Sequence, residues 1–332
     1  MRTDAPSTRI ITLLGAFIIT ILTAGLSLAT GTHVLNLEEI WLALSQPTES
    51  TESVIFWEFR LPKTLTGAFG GAGLAIGGLL TQSLFRNPLT GPDILGLSSG
   101  AGLFVALLTL SGLPLVGFSL TFAAVTGAAI TFLLLLALSR RLQNNALLVA
   151  GIMVSALASA VISALQYYSG AEDLQRYTIW SLGSIGRTGL PETTGLAITV
   201  LFGASVALSS AKGLDAIGLS DHYAASMGVS VKSLRIKILI STALLTGAIT
   251  AFCGPISFVG IAAPHLARRF SRSQSHRHLL PISALIGAWL VMVCDLLSQL
   301  PGAGQVMPLN ALTAITGAPV VLWALWKNRE TI

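Results

Sequence analysis

Charge is what this chain has least of. Only 10% of its 332 residues are Asp, Glu, Lys or Arg, against roughly 25% in ordinary soluble domains. So few charges cannot cover a water-facing surface of this size, whereas a 53% share of hydrophobic residues can face lipid. Cysteine is nearly absent. Cys253 and Cys294 both fall near helix ends, and buried free thiols are the expected state. None of the five lysines follows a glycine, so no G-x-x-x-x-G-K-[ST] loop can cradle nucleotide phosphates. Any ATP, with its Mg, must be handled by another chain. His33, His222, His265, His276 and His278 are scattered. Without ligand spacing on one helix they predict no metal site. His276 and His278 are expected to be solvated, and His265 to hydrogen-bond locally.

Glycine, in contrast, is plentiful at 33 residues, which suits close helix–helix approach in lipid. Apolar runs predict an all-α integral membrane protein of ten transmembrane helices in a single domain, 1–332. The spans are about 10–30, 64–82, 94–110, 115–138, 146–168, 193–209, 238–252, 254–268, 279–299 and 306–326. Most reach the roughly 20 residues that a hydrocarbon core requires. The eighth carries Pro255 and Pro264 and is about 22 Å long as a helix, so it is expected to be broken or partly buried in protein. The first apolar run is too long for a signal core and is read as a retained helix.

Placing the N-terminus inside puts 15 of the 19 Lys and Arg on the cytoplasmic side. Only Arg60, Lys63, Arg176 and Arg187 fall outside, among most of the acids. This bias predicts a multi-pass protein of the cytoplasmic membrane with both ends inside. The net charge of +5 belongs to those loops and does not point to nucleic acid.

The span cores hold almost no ionisable residue; His265 and Asp295 lie near their ends. A carrier driven by protons or sodium usually needs one, which counts against a stand-alone secondary transporter. Gly96-Leu97-Ser98-Ser99-Gly100 fits G-x-S-x-G. That elbow requires a strand-to-helix turn and an acid and histidine to activate the serine. A membrane-embedded hydrolase is therefore the third reading, and the prolines and glycines of 86–102 are better read as starting and packing a helix.

Three long blocks carry a resemblance. "RLPKTLTGAFGGAGLAIGGLLTQSLFRNPLTGPDILGLSSGAG" and "CGPISFVGIAAPHLARRF", with the closing "LTAITGAPVVLWAL", resemble, in order, the motifs of the FecCD-type permeases. These are the membrane subunits of ATP-driven importers for iron chelates, haem and vitamin B12, and the likeness covers nearly the whole chain. The motif positions matched include Asn87, Pro88, Gly254, Pro255, Pro264 and His265. The resemblance implies a ten-helix permease without chemistry or cofactor of its own. It would work with a second permease subunit (a homo- or heterodimer partner), two cytoplasmic ATPase subunits that hold ATP and Mg, and an extracytoplasmic substrate-binding protein. One departure stands out: Val306 and Asn310 replace the family's usual acid and glycine before the last helix.

The loop of about 210–237 is similar to the family's coupling element. Ser220 can cap a short helix and Gly228 can end it in a left-handed turn. Asp221, Ala224, Met227 and Gly228 match the pattern, with Asp for the usual Glu. Ser155, Ser159, Ser163 and Gln166 form one polar stripe on the fifth span. They are read either as a lining of the passage or as a packing seam, with Ala156 and Leu157 at other, more shielded angles. Gln143, Asn144 and Asn145 match the loop that narrows the family's cytoplasmic exit. Arg60 and Lys63 match the R-L-P-[RK] segment that meets acidic groups of the binding protein, and Gln299 replaces a further basic contact.

Overall fold

A computed structural model describes residues 6–31, 33–45, 50–112, 119–271, 273–300 and 306–327. Among them every regular element is helical. Residues 115–118 of the fourth expected span, and Arg2, Arg272 and Arg329 of the charge pattern, lie outside the described residues.

The chain opens with α1 (Pro6–Ala29), α2 (Leu37–Ser45) and α3 (Thr51–Val54). A π-helical turn, Ile55–Arg60, then runs without a break into α4 (Leu61–Phe85). A 3₁₀ turn at Pro92–Leu95 leads to α5 (Leu97–Leu110), followed by α6 (Leu120–Ser139), α7 (Asn144–Tyr168) and α8 (Ala171–Ser181). Next come α9 (Leu190–Ser209) and two short helices, α10 (Ala211–Leu219) and α11 (Asp221–Ser226). The last four are α12 (Val231–Cys253), α13 (Val259–Ser271), α14 (His276–Ser298) and α15 (Leu309–Lys327).

Among the described residues, seven helices are long and apolar enough to cross a membrane: α1, the continuous Thr51–Phe85 helix, α6, α7, α9, α12 and α14. Of the other three expected spans, α15 runs nineteen residues, while α5 and α13 are shorter, with fourteen and thirteen. Each begins after a proline or glycine break. The break before α5 holds Pro88 and Pro92, and the one before α15 ends at Pro308. Before α13, Gly254 (φ 74°) and Phe258 (φ 66°) turn the backbone out of helix. The expected span 254–268 is thus a non-helical lead followed by α13, whose thirteen residues run on to Ser271.

At the centre lies α4, which packs against α9, α12, α13 and α14. Two glycine seams bring backbones together there. A Cβ at Gly71 would meet the Gly287 carbonyl carbon of α14 at 2.6 Å, and one at Gly78 would meet Gly260 Cα of α13 at 2.7 Å. Neither position can take a side chain without moving a helix. Lipid tails provide no hydrophobic drive between helices, so close backbone packing of this kind carries the association. Both cysteines are free and buried, the common state of cysteine inside a protein.

Candidate functional site

The end of the bundle that carries α10 and α11 gathers most of the residues singled out from sequence. Ser220 Oγ accepts the Tyr223 amide at 2.9 Å and so caps α11. At the other end Gly228, at φ 78°, turns the chain back. Ala224 is fully buried and anchors α11 from beneath, while Tyr223 and Met227 stay 45% and 64% exposed. A six-residue helix cannot hold itself together in water. What fixes it is the cap, the buried alanine and two ties to neighbouring helices.

The first tie is Arg86, which ends α4 in a left-handed conformation. Its guanidinium pairs with the Asp221 carboxylate, and its Nε donates to the Ile217 carbonyl of α10 at 2.8 Å. The second tie is Asp215 of α10. Asp215 Oδ1 accepts from the His276 amide at 2.8 Å and from His276 Nδ1 at 2.6 Å. Its Oδ2 accepts from Ser275 Oγ at 3.0 Å. The other ring nitrogen of His276 lies 2.5 Å from Ser83 Oγ in α4. His276 is only 8% exposed, which corrects the expectation of a solvated loop histidine. The Ser83–His276–Asp215 chain has the order of a hydrolytic triad, but Ser83 is buried and its hydroxyl donates to the Leu79 carbonyl of its own helix. It is a bracket joining α10 to α4 and α14. Sequence could not reveal it, because the three residues are brought together only by the fold.

Burial pushes the Asp215 carboxyl up, but the bonds from His276 and Ser275 outweigh it and hold the group below the usual carboxylate range. A depressed carboxyl stabilises above its unfolded pKa and loses that contribution as pH falls through its folded value. Asp215→Asn is therefore expected to unfold at a lower temperature throughout pH 5–8. Its deficit against the parent should shrink below about pH 4. Thermal midpoints measured across pH would show an unchanging difference if Asp215 carried no such bond.

The residues read as a gate sit beside these ties. Asn144 Nδ2 donates to the Leu84 carbonyl at 2.9 Å, while Gln143 and Asn145 are exposed. All three line one cleft of about 970 Å³ together with Arg86 and Asp221. The proline motifs meet as well. His265 Nε2 donates to the Pro88 carbonyl at 2.9 Å, Asn87 Oδ1 accepts the Leu89 amide, and Pro264 is buried within α13. Gly254 and Pro255 form the turn before α13, where Gly254 adopts its positive φ.

Ser98, the centre of the G-x-S-x-G match, donates to Asp93 Oδ1 at 2.8 Å and lies 3.1 Å from Thr250 Oγ1. It follows a 3₁₀ turn, not a strand.

On α7 the polar stripe is not set apart by exposure. Ser159 and Ser163 are exposed, and Ser155 and Gln166 are half-buried. Ser155 Oγ donates to the Gly151 carbonyl. Ala156 is exposed too and Leu157 is 68% exposed, so exposure alone does not separate the stripe from its neighbours. Only Leu147, Gly151 and Ala158 of α7 are buried.

At the opposite end the largest correction concerns Arg60. It is 7% exposed, and its Nη2 donates to the His33 carbonyl at 2.7 Å. The π-helical turn that ends at Arg60 carries this side chain inward, so it braces the segment around His33 instead of presenting a charge to a partner. Lys63 is a quarter exposed and pairs with Asp295 Oδ2 at 2.8 Å. Gln299 Nε2 donates to the same carboxylate oxygen at 3.1 Å. Asn310 has a packing role: its Oδ1 accepts the Ser257 amide at 3.1 Å and holds the start of α15 against the lead into α13.

Residues 18–327 match the model of the FecCD transport family. The hemin transport system permease protein of Yersinia pestis is 35% identical, over 83% of this chain and 84% of its own. The vitamin B12 import system permease protein of Vibrio cholerae is 34% identical, over 92% and 93%. The Fe(3+) dicitrate transport system permease protein of Escherichia coli is 36% identical, over 83% and 86%. Among solved structures, an inward-facing metal-chelate type ABC transporter superimposes with a TM-score of 0.83 at 30% identity, covering 95% of this chain and 98% of that one.

Proposed function

The chain belongs to the FecCD transport family, and from that premise we propose that it is the membrane permease subunit of an ATP-binding-cassette importer. It moves an iron chelate (siderophore or haem) or vitamin B12 into the cytoplasm. Ten membrane segments form the subunit, and both termini lie in the cytoplasm. A second permease subunit completes the passage, two ATPase subunits holding ATP and Mg bind beneath, and a substrate-binding protein docks above. ATP binding and hydrolysis switch the passage between outward and inward access.

The observation that carries this reading is α11. It presents Tyr223 and Met227 to solvent on a capped, anchored turn, a small rigid knob of the kind that fits a groove on another protein. Because Arg86 and Asp215 tie the loop to α4 and α14, a push on α11 reaches the bundle directly. On this reading Gln143, Asn144 and Asn145 narrow the inner exit, and Lys63 is the contact nearest the binding protein. Ser155, Ser159, Ser163 and Gln166 line the passage where α7 faces the second subunit.

Uptake should require the separate ATPase and cease when that ATPase cannot hydrolyse ATP. Cysteines at 155, 159 and 163, introduced after Cys253 and Cys294 are replaced, should react with a water-soluble thiol reagent to an extent that changes with trapped nucleotide. Uptake that persists without any ATPase and follows the proton gradient would restore the secondary carrier as the better account.

A further inference from the structure

The starts of α1 and α14 enclose a groove of about 410 Å³ that shares no lining residue with the cleft beside α11. Helix α1 packs against α4, α13 and α14, whereas α7 packs against α5 and α6. The groove therefore lies away from the helix given to the second subunit. The two helices run side by side, joined where Thr20 Oγ1 donates to the Leu285 carbonyl at 3.2 Å. Their apolar spans begin at Ile10 and His276, which sets the groove at the membrane surface. Ile10 and Leu14 are 60% and 51% exposed, and the face they form continues outward through Phe17, Ile18 and Ile21, all exposed along a span that meets lipid. One wall carries Arg277. It is exposed, and among the described residues no hydrogen bond or ion pair engages its side chain. Nor does any carboxylate among them line the groove to neutralise it. The same wall holds Pro281, which has no N–H and so leaves the Arg277 carbonyl without its usual helical donor. A reachable cation and an unclaimed acceptor thus stand at the membrane surface, with Leu13, Leu14 and Ile282 beside them and deeper in the span.

We infer that this groove holds an anionic phospholipid. Its phosphate pairs with the Arg277 guanidinium, whose planar fork matches phosphate oxygens, and a headgroup hydroxyl donates to the Arg277 carbonyl. One acyl chain lies on Leu13, Leu14 and Ile282 and follows the exposed face of α1. Basic pockets between membrane helices recognise headgroups in this manner, whereas an apolar face alone cannot choose among lipids. The inference needs only that the chain spans a membrane and does not depend on the transport reading.

The full chain is placed in phosphatidylcholine vesicles with a trace of phosphatidylglycerol bearing a photoreactive group on one acyl chain. Phosphatidylcholine bearing the same group serves as the comparison probe, and adducts are mapped by mass spectrometry after illumination. Residues 10–14 and 277–282 are expected to be labelled several-fold more by the phosphatidylglycerol probe. That excess should vanish in Arg277→Gln. It should persist in Arg269→Gln, which removes an exposed charge of α13 outside the groove. Because Arg277 is exposed, its variant should fold with the parent's thermal midpoint. Leu14→Trp tests the same site without touching charge, since a bulky ring there fills the groove, and labelling by the phosphatidylglycerol probe should fall. Equal labelling by the two probes in the parent, or an excess that survives in folded Arg277→Gln, overturns the inference.

Discussion

Gly78→Ala should leave little folded protein. The added Cβ would lie 2.7 Å from Gly260 Cα, and closer still to the Gly260 carbonyl, so the obstruction is backbone and cannot rotate away. Gly260 is itself hemmed in, since a Cβ there would meet Pro92 Cδ at 2.5 Å and the Leu74 carbonyl oxygen of α4 at 3.0 Å. Overpacking a core costs about 1–3 kcal/mol where side chains can yield. Here α4 and α13 must separate, and the loss should reach the top of that range or exceed it. The same exchange at Gly25 of α1, which has nothing within 4 Å, is the control. Thermal unfolding and size-exclusion profiles of the two variants in detergent decide the matter. Comparable midpoints would mean that the α4–α13 seam is looser than described.

Gly228→Val should do the opposite, sparing the fold and stopping transport. A Cβ at Gly228 has open space around it, so no clash arises. The cost comes from φ 78°, about 1–2 kcal/mol for an ordinary residue and more for a branched one. The strain is relieved most easily by shifting α11, whose only length is six residues. Uptake and substrate-stimulated ATP turnover are expected to fall together, with the protein still recovered from the membrane. Gly228→Asn should recover much of both, because asparagine tolerates the left-handed region. A valine variant transporting at the parent rate would detach α11 from the coupling role.

The membrane class and the seven long helices were legible because hydropathy is a local property, and so were the cap and turn around α11, which depend on Ser220 and Gly228 alone. The ties were not. Asp215 and His276 stand about sixty residues apart and Ser83 far from both, and nothing in their neighbours marks them. Arg60 misled for a related reason. The charge bias set it among the outer loops and so suggested a surface role, but a π-helical turn, invisible in composition, carries its side chain inward. The stripe on α7 was legible as a pattern, yet its neighbours share its exposure because this helix has few partners within one chain.

The two glycine seams have a mechanical consequence. Helices in backbone contact cannot slide past one another as side chains can, so α4, α13 and α14 form a stiff block. Arg86 lies at one end of α4 and His276 at the start of α14, so both ties from the α10–α11 loop grip that block. A load applied at α11 is therefore delivered to a single lever and not dispersed among separate helices. The pliant parts lie elsewhere, in α7 with its few neighbours and in the unwound lead at Gly254–Phe258. Bending is expected in those places, with the block turning as a unit.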